Sequence, residues 1–112
     1  MSKYELYLND ILRAIDKIEA SLKGKTEEAF SKSDDLIDAA SMRLQIIGES
    51  INKLPNEIKT KHKEINWDKL SKIRNIISHA YFNVNSQLIW SIIKEEIWSL
   101  KKQIKKIKEE LE

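Results

Sequence analysis

Apolar residues recur along most of this chain with the three-and-four spacing of helices buried on one side. Tyr4, Leu8, Ile11, Leu12, Ile15, Ile18 and Leu22 form the first such stripe. Ser2 and Glu5 make a capping box ahead of it, and Gly24 is its natural stop, so the spacing predicts a helix over about 3–23. Residues 25–33 read as a polar connector holding one aromatic, Phe30. Ser33-Asp34-Asp35 can start a second helix, with Leu36, Ile37, Ala40, Leu44, Ile47, Ile51 and Leu54 as its stripe. Pro55 ends it or begins a short helical turn through Ile58. Ala39, Met42 and Ile46 lie well off the main stripe, where a partner could cover them.

Asn66 can cap a third helix starting at Trp67, with Leu70, Ile73, Ile76, Ile77 and Ala80 as its buried face. Asn83 and Asn85 mark a turn. The last helix, about 86–110, carries Ile89, Ile93, Ile97, Leu100, Ile104, Ile107 and Leu111, and Trp98 projects away from that stripe. Trp67, Phe82 and Trp90 are expected in the core or at its boundary, not as base-stacking platforms. The sum is an all-α fold: an up-and-down bundle of four main helices plus a short helical turn, in a single domain over 1–112.

Composition sharpens this reading. The chain has 112 residues with 2 Gly, 1 Pro and one Val, so breakers and strand formers are both scarce. That length excludes a TIM barrel or a full dinucleotide-binding fold. A chain this short makes a deep site within one subunit unlike the easier alternative, a cleft shared between two. Zero Cys excludes disulfides, Cys-zinc sites and thiol catalysis. There is no membrane-length apolar run and no signal peptide, which fits a cytoplasmic protein. The net charge of +2 is too small to announce nucleic-acid binding by itself.

One grouping carries candidate chemistry. Arg74, Asn75, Ser78 and His79 fall within an arc of roughly 140° opposite the apolar face of the third helix. Arg74 is one of three arginines in a Lys-dominated chain, and His79 is one of two histidines. Arginine offers a planar fork for a phosphodiester. Histidine can take a proton from a ribose 2′-OH or give one to a leaving oxygen. Asparagine can orient the ring or bind the phosphate. On spacing alone the same grouping fits an ordinary polar helix face, with His79 near a C-terminus that favours it.

The segment Arg74-Asn75-Ile76-Ile77-Ser78-His79 resembles the signature of the HEPN superfamily: Arg, a polar residue, three further residues, then His. Arg74, His79 and Tyr81 also satisfy the longer Arg-x4-His-x-Tyr form. The chain is similar to the HepT-like branch in its flanking landmarks: Ile47-Gly48-Glu49 before Leu54-Pro55, Trp67 ahead of the motif, and Ile89-Trp90 after it. The likeness runs from the first helix to about Leu100, with Ser50 standing where a small Ala is expected. It implies a dimeric helical bundle with two motifs in one cleft, acting as a metal-independent endoribonuclease toxin without a cofactor. It further implies an antitoxin partner, a minimal nucleotidyltransferase, that adenylylates the motif tyrosine. On this resemblance Arg74 holds the RNA phosphate, His79 transfers protons, Asn75 assists and Tyr81 is modified. The alternative is a non-catalytic helical module that holds a nucleotidyltransferase and helps present its substrate. An intact Arg74 and His79 favour the nuclease.

Other residues are weaker candidates. His62 lies in the basic run Lys59–Lys63 and reads as a solvated loop residue rather than an RNA contact. Glu49 either supports the cleft from behind, as Ser78 can, or is a surface carboxylate. Gly48 inside a helix suggests close approach of another helix, within the bundle or across a dimer. His62 and His79 are too far apart in sequence for a paired metal motif, and no metal-ligand set appears. Ala39, Met42, Ile46 and Trp98 are surplus apolar surface, which a homodimer would cover.

Overall fold

The computed structural model describes residues 3–111. Helix α1 (Lys3–Leu22) buries Leu8, Ile11, Ile15, Ile18 and Leu22 on one side. It stops at Gly24, whose φ of +75° is the left-handed turn that lacks a Cβ penalty. The capping box expected of Ser2 lies outside the described residues. Tyr4 is 36% exposed at the open end of the stripe.

The connector expected after α1 is itself partly helical. Thr26 caps α2 (Glu27–Ser31) by accepting from the Ala29 amide at 3.1 Å. This single turn drives Phe30 fully into the core, where its ring meets Trp90 at 5.3 Å. Burial of one large aromatic outweighs the polar composition of the segment.

Helix α3 (Asp34–Asn52) begins at Ser33, whose hydroxyl accepts from the Leu36 amide at 3.2 Å. Asp34 and Asp35 suit the positive end of the helix. Ala40, Leu44, Ile47 and Ile51 are buried against α1 and the later helices. After Pro55, α4 (Asn56–Lys61) buries Ile58.

The third helix breaks in two. Helix α5 (Trp67–Ser71) is capped by Asn66, and α6 (Ile73–Phe82) follows after Lys72, whose φ and ψ are −95° and −1°. The Ser71 carbonyl accepts from the Asn52 side chain at 3.2 Å instead of continuing the ladder. The apolar pattern survives this break, since Leu70, Ile73, Ile77 and Ala80 are all buried and Ile76 is partly so.

The last helix is continuous but irregular. Helix α7 (Ser86–Ile92) passes through a π-helical turn (Ile93–Ile97) into α8 (Trp98–Leu111). Ile97 would drift by about 80° from Ile89 on a regular helix. The wider turn, closed by the Trp98 amide on the Ile93 carbonyl, keeps Ile93 and Ile97 both in the core. Lys101 then ties α8 to α1 through Glu19 (2.7 Å) and Asp16 (3.1 Å). The result is an all-α bundle built on α1, α3, α5–α6 and α7–α8, with the core between them. Among the described residues no helix is long and apolar enough to cross a membrane.

Four side chains depart from expectation. Phe82 is neither core nor boundary but 79% exposed, because α6 ends there and the chain turns before α7. Trp98 is partly buried against its own core, leaving Met42 and Ile46 as the open apolar surface of the expected set. Leu111 is exposed at the helix end. His62 is buried rather than solvated. Its Nε2 meets Glu110 at 2.9 Å, its Nδ1 meets Glu64 at 3.4 Å, and its carbonyl accepts from the Trp67 indole at 2.8 Å.

Candidate functional site

Helices α3 and α6 pack along their length, and one residue sets how closely they meet. A Cβ added at Gly48 would collide with the Ile73 side chain and come within 3.2 Å of the Arg74 backbone nitrogen. The close approach inferred from this glycine is therefore inside the bundle, and it brings the start of α6 directly against α3.

Arg74 leaves α6 at that crossing. Its Nη1 lies 3.0 Å from Oε2 of Glu49, one residue beyond Gly48 on α3. Both side chains are about half exposed or more, so water screens the pair and a stronger anion can displace the carboxylate. Arg74, Glu49, Lys53 and Asp10 border one shallow hollow. Two cations there face two carboxylates.

His79 occupies the other end of α6. Asn83, the residue that ends the helix, sends its side-chain amide to the His79 carbonyl at 2.8 Å and to within 3.4 Å of Nδ1. The other ring nitrogen, Nε2, has no hydrogen-bond partner among the described residues. The ring partner of His79 is thus Asn83 and not Asn75. Asn75 is exposed and Ser78 half-buried, and neither side chain has a hydrogen-bond partner among the described residues.

Tyr81 shares a face of α6 with Arg74, as the spacing predicts, but its phenol has a different partner. It shares a hollow with Asp38 and Asp34 of α3, and these carboxylates, Asp38 foremost, hold the phenol above its ordinary pKa. Asp38 precedes Glu49 by eleven residues, roughly 16 Å along α3. Tyr81 and Arg74 therefore engage opposite ends of the α3–α6 seam. Asn83 and Asp38 are the contributions sequence reading missed. Asn83 stands four residues after His79, the spacing of direct helical neighbours. Asp38 lies on the same face of α3 as Glu49, but nothing in the sequence alone pairs it with Tyr81.

Arg74 borders the hollow with Glu49 and Lys53, and His79 stands further along the same helix. Five residues separate them on α6, about 7.5 Å of rise. Both project from the side opposite Ile73, Ile77 and Ala80. Among the described residues no group of three or more His, Cys, Asp or Glu could hold a metal ion.

Comparison with known proteins bears on this arrangement. Residues 11–107 match the family described as Ribonuclease HepT-like. A protein of Methanocaldococcus jannaschii named "Gamma-glutamylcyclotransferase and putative RNase" is 43% identical over 108 residues, which cover 96% of this chain and 49% of that protein. The chain thus spans about half the length of that relative. A "Putative RNase" of Caldanaerobacter subterraneus subsp. tengcongensis is 38% identical over 90% of each chain. The "Probable ribonuclease HepT" of Thermococcus cleftensis is 36% identical, covering 91% of this chain and 93% of its own length. No solved structure matches. With a family match across nearly the whole bundle, the chain belongs to the HepT-like ribonuclease family of the HEPN superfamily.

Proposed function

We propose that this chain is a single-domain, metal-independent endoribonuclease that acts as a homodimer and serves as the toxin of a toxin–antitoxin pair. The observation that carries the nuclease reading is the placement of Arg74 and His79. Both stand exposed on the outward side of one helix, on a backbone fixed by Gly48 at one end and Asn83 at the other. Neither is used by the core. Because the two stand on open surface, a second copy facing α6 is the simplest way to complete a cleft around them. The open Ile46, which borders the Arg74 hollow, and Met42, one helical turn away on α3, supply apolar surface for that contact.

In this reading the RNA phosphate displaces Glu49 from Arg74, whose fork binds two phosphate oxygens. His79 accepts the proton of the ribose 2′-OH as that oxygen attacks phosphorus. The P–O5′ bond breaks, and the departing 5′-oxygen takes a proton from His79 of the second copy. The products are a 2′,3′-cyclic phosphate and a 5′-hydroxyl. Asn75 lies on the same face, free to contact the phosphate, and Ser78 borders it.

Tyr81 is the residue a minimal nucleotidyltransferase antitoxin would adenylylate. An AMP group there carries negative charge next to Asp34 and Asp38. Repulsion would turn the modified ring away from α3, over the outward side of α6 where RNA must bind. Co-expression with the partner should add whole AMP units to the wild type and none to Tyr81→Phe; additions that persist in the variant would place the modification elsewhere. The nuclease itself is tested with purified chain, RNA and a chelator. Cleavage lost in both Arg74→Ala and His79→Ala supports it. Cleavage retained in either, or absent from a folded wild type, removes it and leaves a non-catalytic binding module.

A further inference from the structure

Phe82 is the one large apolar side chain on the polar side of α6. At about 100° per residue it falls between Asn75 and Ser78 and roughly opposite the buried Ile73, Ile77 and Ala80. It stands one helical turn past His79, about 4.5 Å further along the axis. Its ring is 79% exposed and contacts the Tyr81 ring, perpendicular to it with centroids 5.3 Å apart.

The turn that follows keeps the ring outside. Val84 adopts φ +53°, a left-handed conformation that a β-branched residue rarely takes. Three hydrogen bonds hold it there: Asn85 N–H to the Ala80 carbonyl (2.7 Å), Val84 N–H to the Tyr81 carbonyl (3.1 Å), and the Asn83 side chain to the His79 carbonyl (2.8 Å). The backbone is strained and pinned directly after Phe82. Asp34 and Asp38 border the hollow beside Tyr81 and Phe82, so a phosphate is repelled there. The part of a nucleotide that fits against this ring is its uncharged base.

We propose that Phe82 is a stacking platform for an unpaired base of RNA adjoining the phosphate handled by Arg74 and His79, which makes single-stranded RNA the substrate class. The inference rests on the ribonuclease reading for its ligand. Aromatic stacking recognises splayed bases, which a duplex does not offer. One stacked base contributes a factor of about 10–100 in affinity.

The test uses single-stranded RNA with a 2′-deoxy residue at the mapped cut site, carrying 2-aminopurine at the adjoining base. Wild type should quench the 2-aminopurine, Phe82→Ala should bind about 10–100-fold more weakly without quenching, and Phe82→Tyr should restore both. An abasic site in place of the adjoining base should weaken wild type by the same factor and Phe82→Ala by no more. Equal affinity of wild type and Phe82→Ala overturns the proposal. So does a Phe82→Ala chain that changes mass by light scattering while still losing affinity at the abasic site, because the ring would then be covered by a second copy. If the wild type cleaves no RNA, 2-aminopurine is placed at each position of the strand in turn, and quenching at one of them keeps the platform and removes the nuclease; cleavage without quenching does the reverse.

Discussion

His62 is 6% exposed and held by Glu64 and Glu110, whereas His79 stands exposed at the end of α6 with one asparagine amide beside its ring. The first ties the final turn of α8 to the loop between α4 and α5. The second is attached to nothing beyond its own helix end. A buried imidazole whose nitrogens are both occupied by carboxylates is a structural latch. An imidazole with one anchored nitrogen and one facing solvent is available for proton transfer. The difference lies in surroundings contributed by distant parts of the chain, so it does not follow from residue type.

The largest expected effect separates the two directly. His79→Ala should lower RNA cleavage by about 10²–10⁴-fold and leave the melting temperature near that of the wild type, since no core cavity forms. His62→Ala should do the opposite: destabilisation of about 1–3 kcal/mol, with cleavage per folded molecule preserved. Denaturation curves and initial rates on both variants check the pair. If the two variants show the same profile, the division of roles fails.

The backbone that presents His79 can be disturbed without touching any motif residue. Gly48→Ala drives a methyl into Ile73 and should cost about 1–3 kcal/mol by overpacking. Because Arg74 follows Ile73, cleavage should fall as well. Unchanged stability in urea denaturation would mean that α3 and α6 meet less closely.

The latch also has a pH signature. The Glu64 carboxyl is held below its usual pKa, first by its own backbone amide and further by His62. A depressed carboxylate pKa stabilises the fold above the unfolded value, and that contribution disappears as pH falls through the folded value. Glu64→Gln should therefore flatten the acid limb of the stability curve. At the other end of the α3–α6 seam the sign reverses. The raised Tyr81 phenol stabilises the fold below the usual tyrosine range and loses that contribution as pH rises through its folded pKa. Asp38→Asn should bring Tyr81 ionisation back toward the ordinary value, read as an absorbance titration differenced against Tyr81→Phe.

The smallest effect concerns Ser41. Its hydroxyl is buried without a hydrogen-bond partner among the described residues. Ser41→Ala should raise the melting temperature slightly, by up to about 1 kcal/mol of stability, with no change in cleavage. A loss of stability would point to a partner for that hydroxyl.

Much of the bundle was legible because its stripes are long and regular. Ile11, Ile15, Ile18, Ile47, Ile51, Ile104 and Ile107 all sit where a helical period puts them. The Arg74–His79 motif was legible as a resemblance, and Gly48 as a sign of close packing. What escaped depends on contacts between distant segments. Phe30 makes a helix of a polar connector because Trp90 is there to meet it. Asn52 breaks the third helix by taking the Ser71 carbonyl. The basic neighbours of His62 suggest solvent, but Glu110 closes over it from the far end of the chain. Phe82 reads as core from its chemistry, and only the end of α6 shows that the ring stands outside.

The most direct test of the central claim is cleavage of a single-stranded RNA in chelator, beside the same strand with one 2′-deoxy residue at the mapped cut site. The account predicts that the all-ribose strand is cut to a 2′,3′-cyclic phosphate and a 5′-hydroxyl, while the substituted strand stays intact at that position. Equal cleavage of both strands, or a 3′-hydroxyl product, would contradict an attack by the 2′-oxygen assisted by His79.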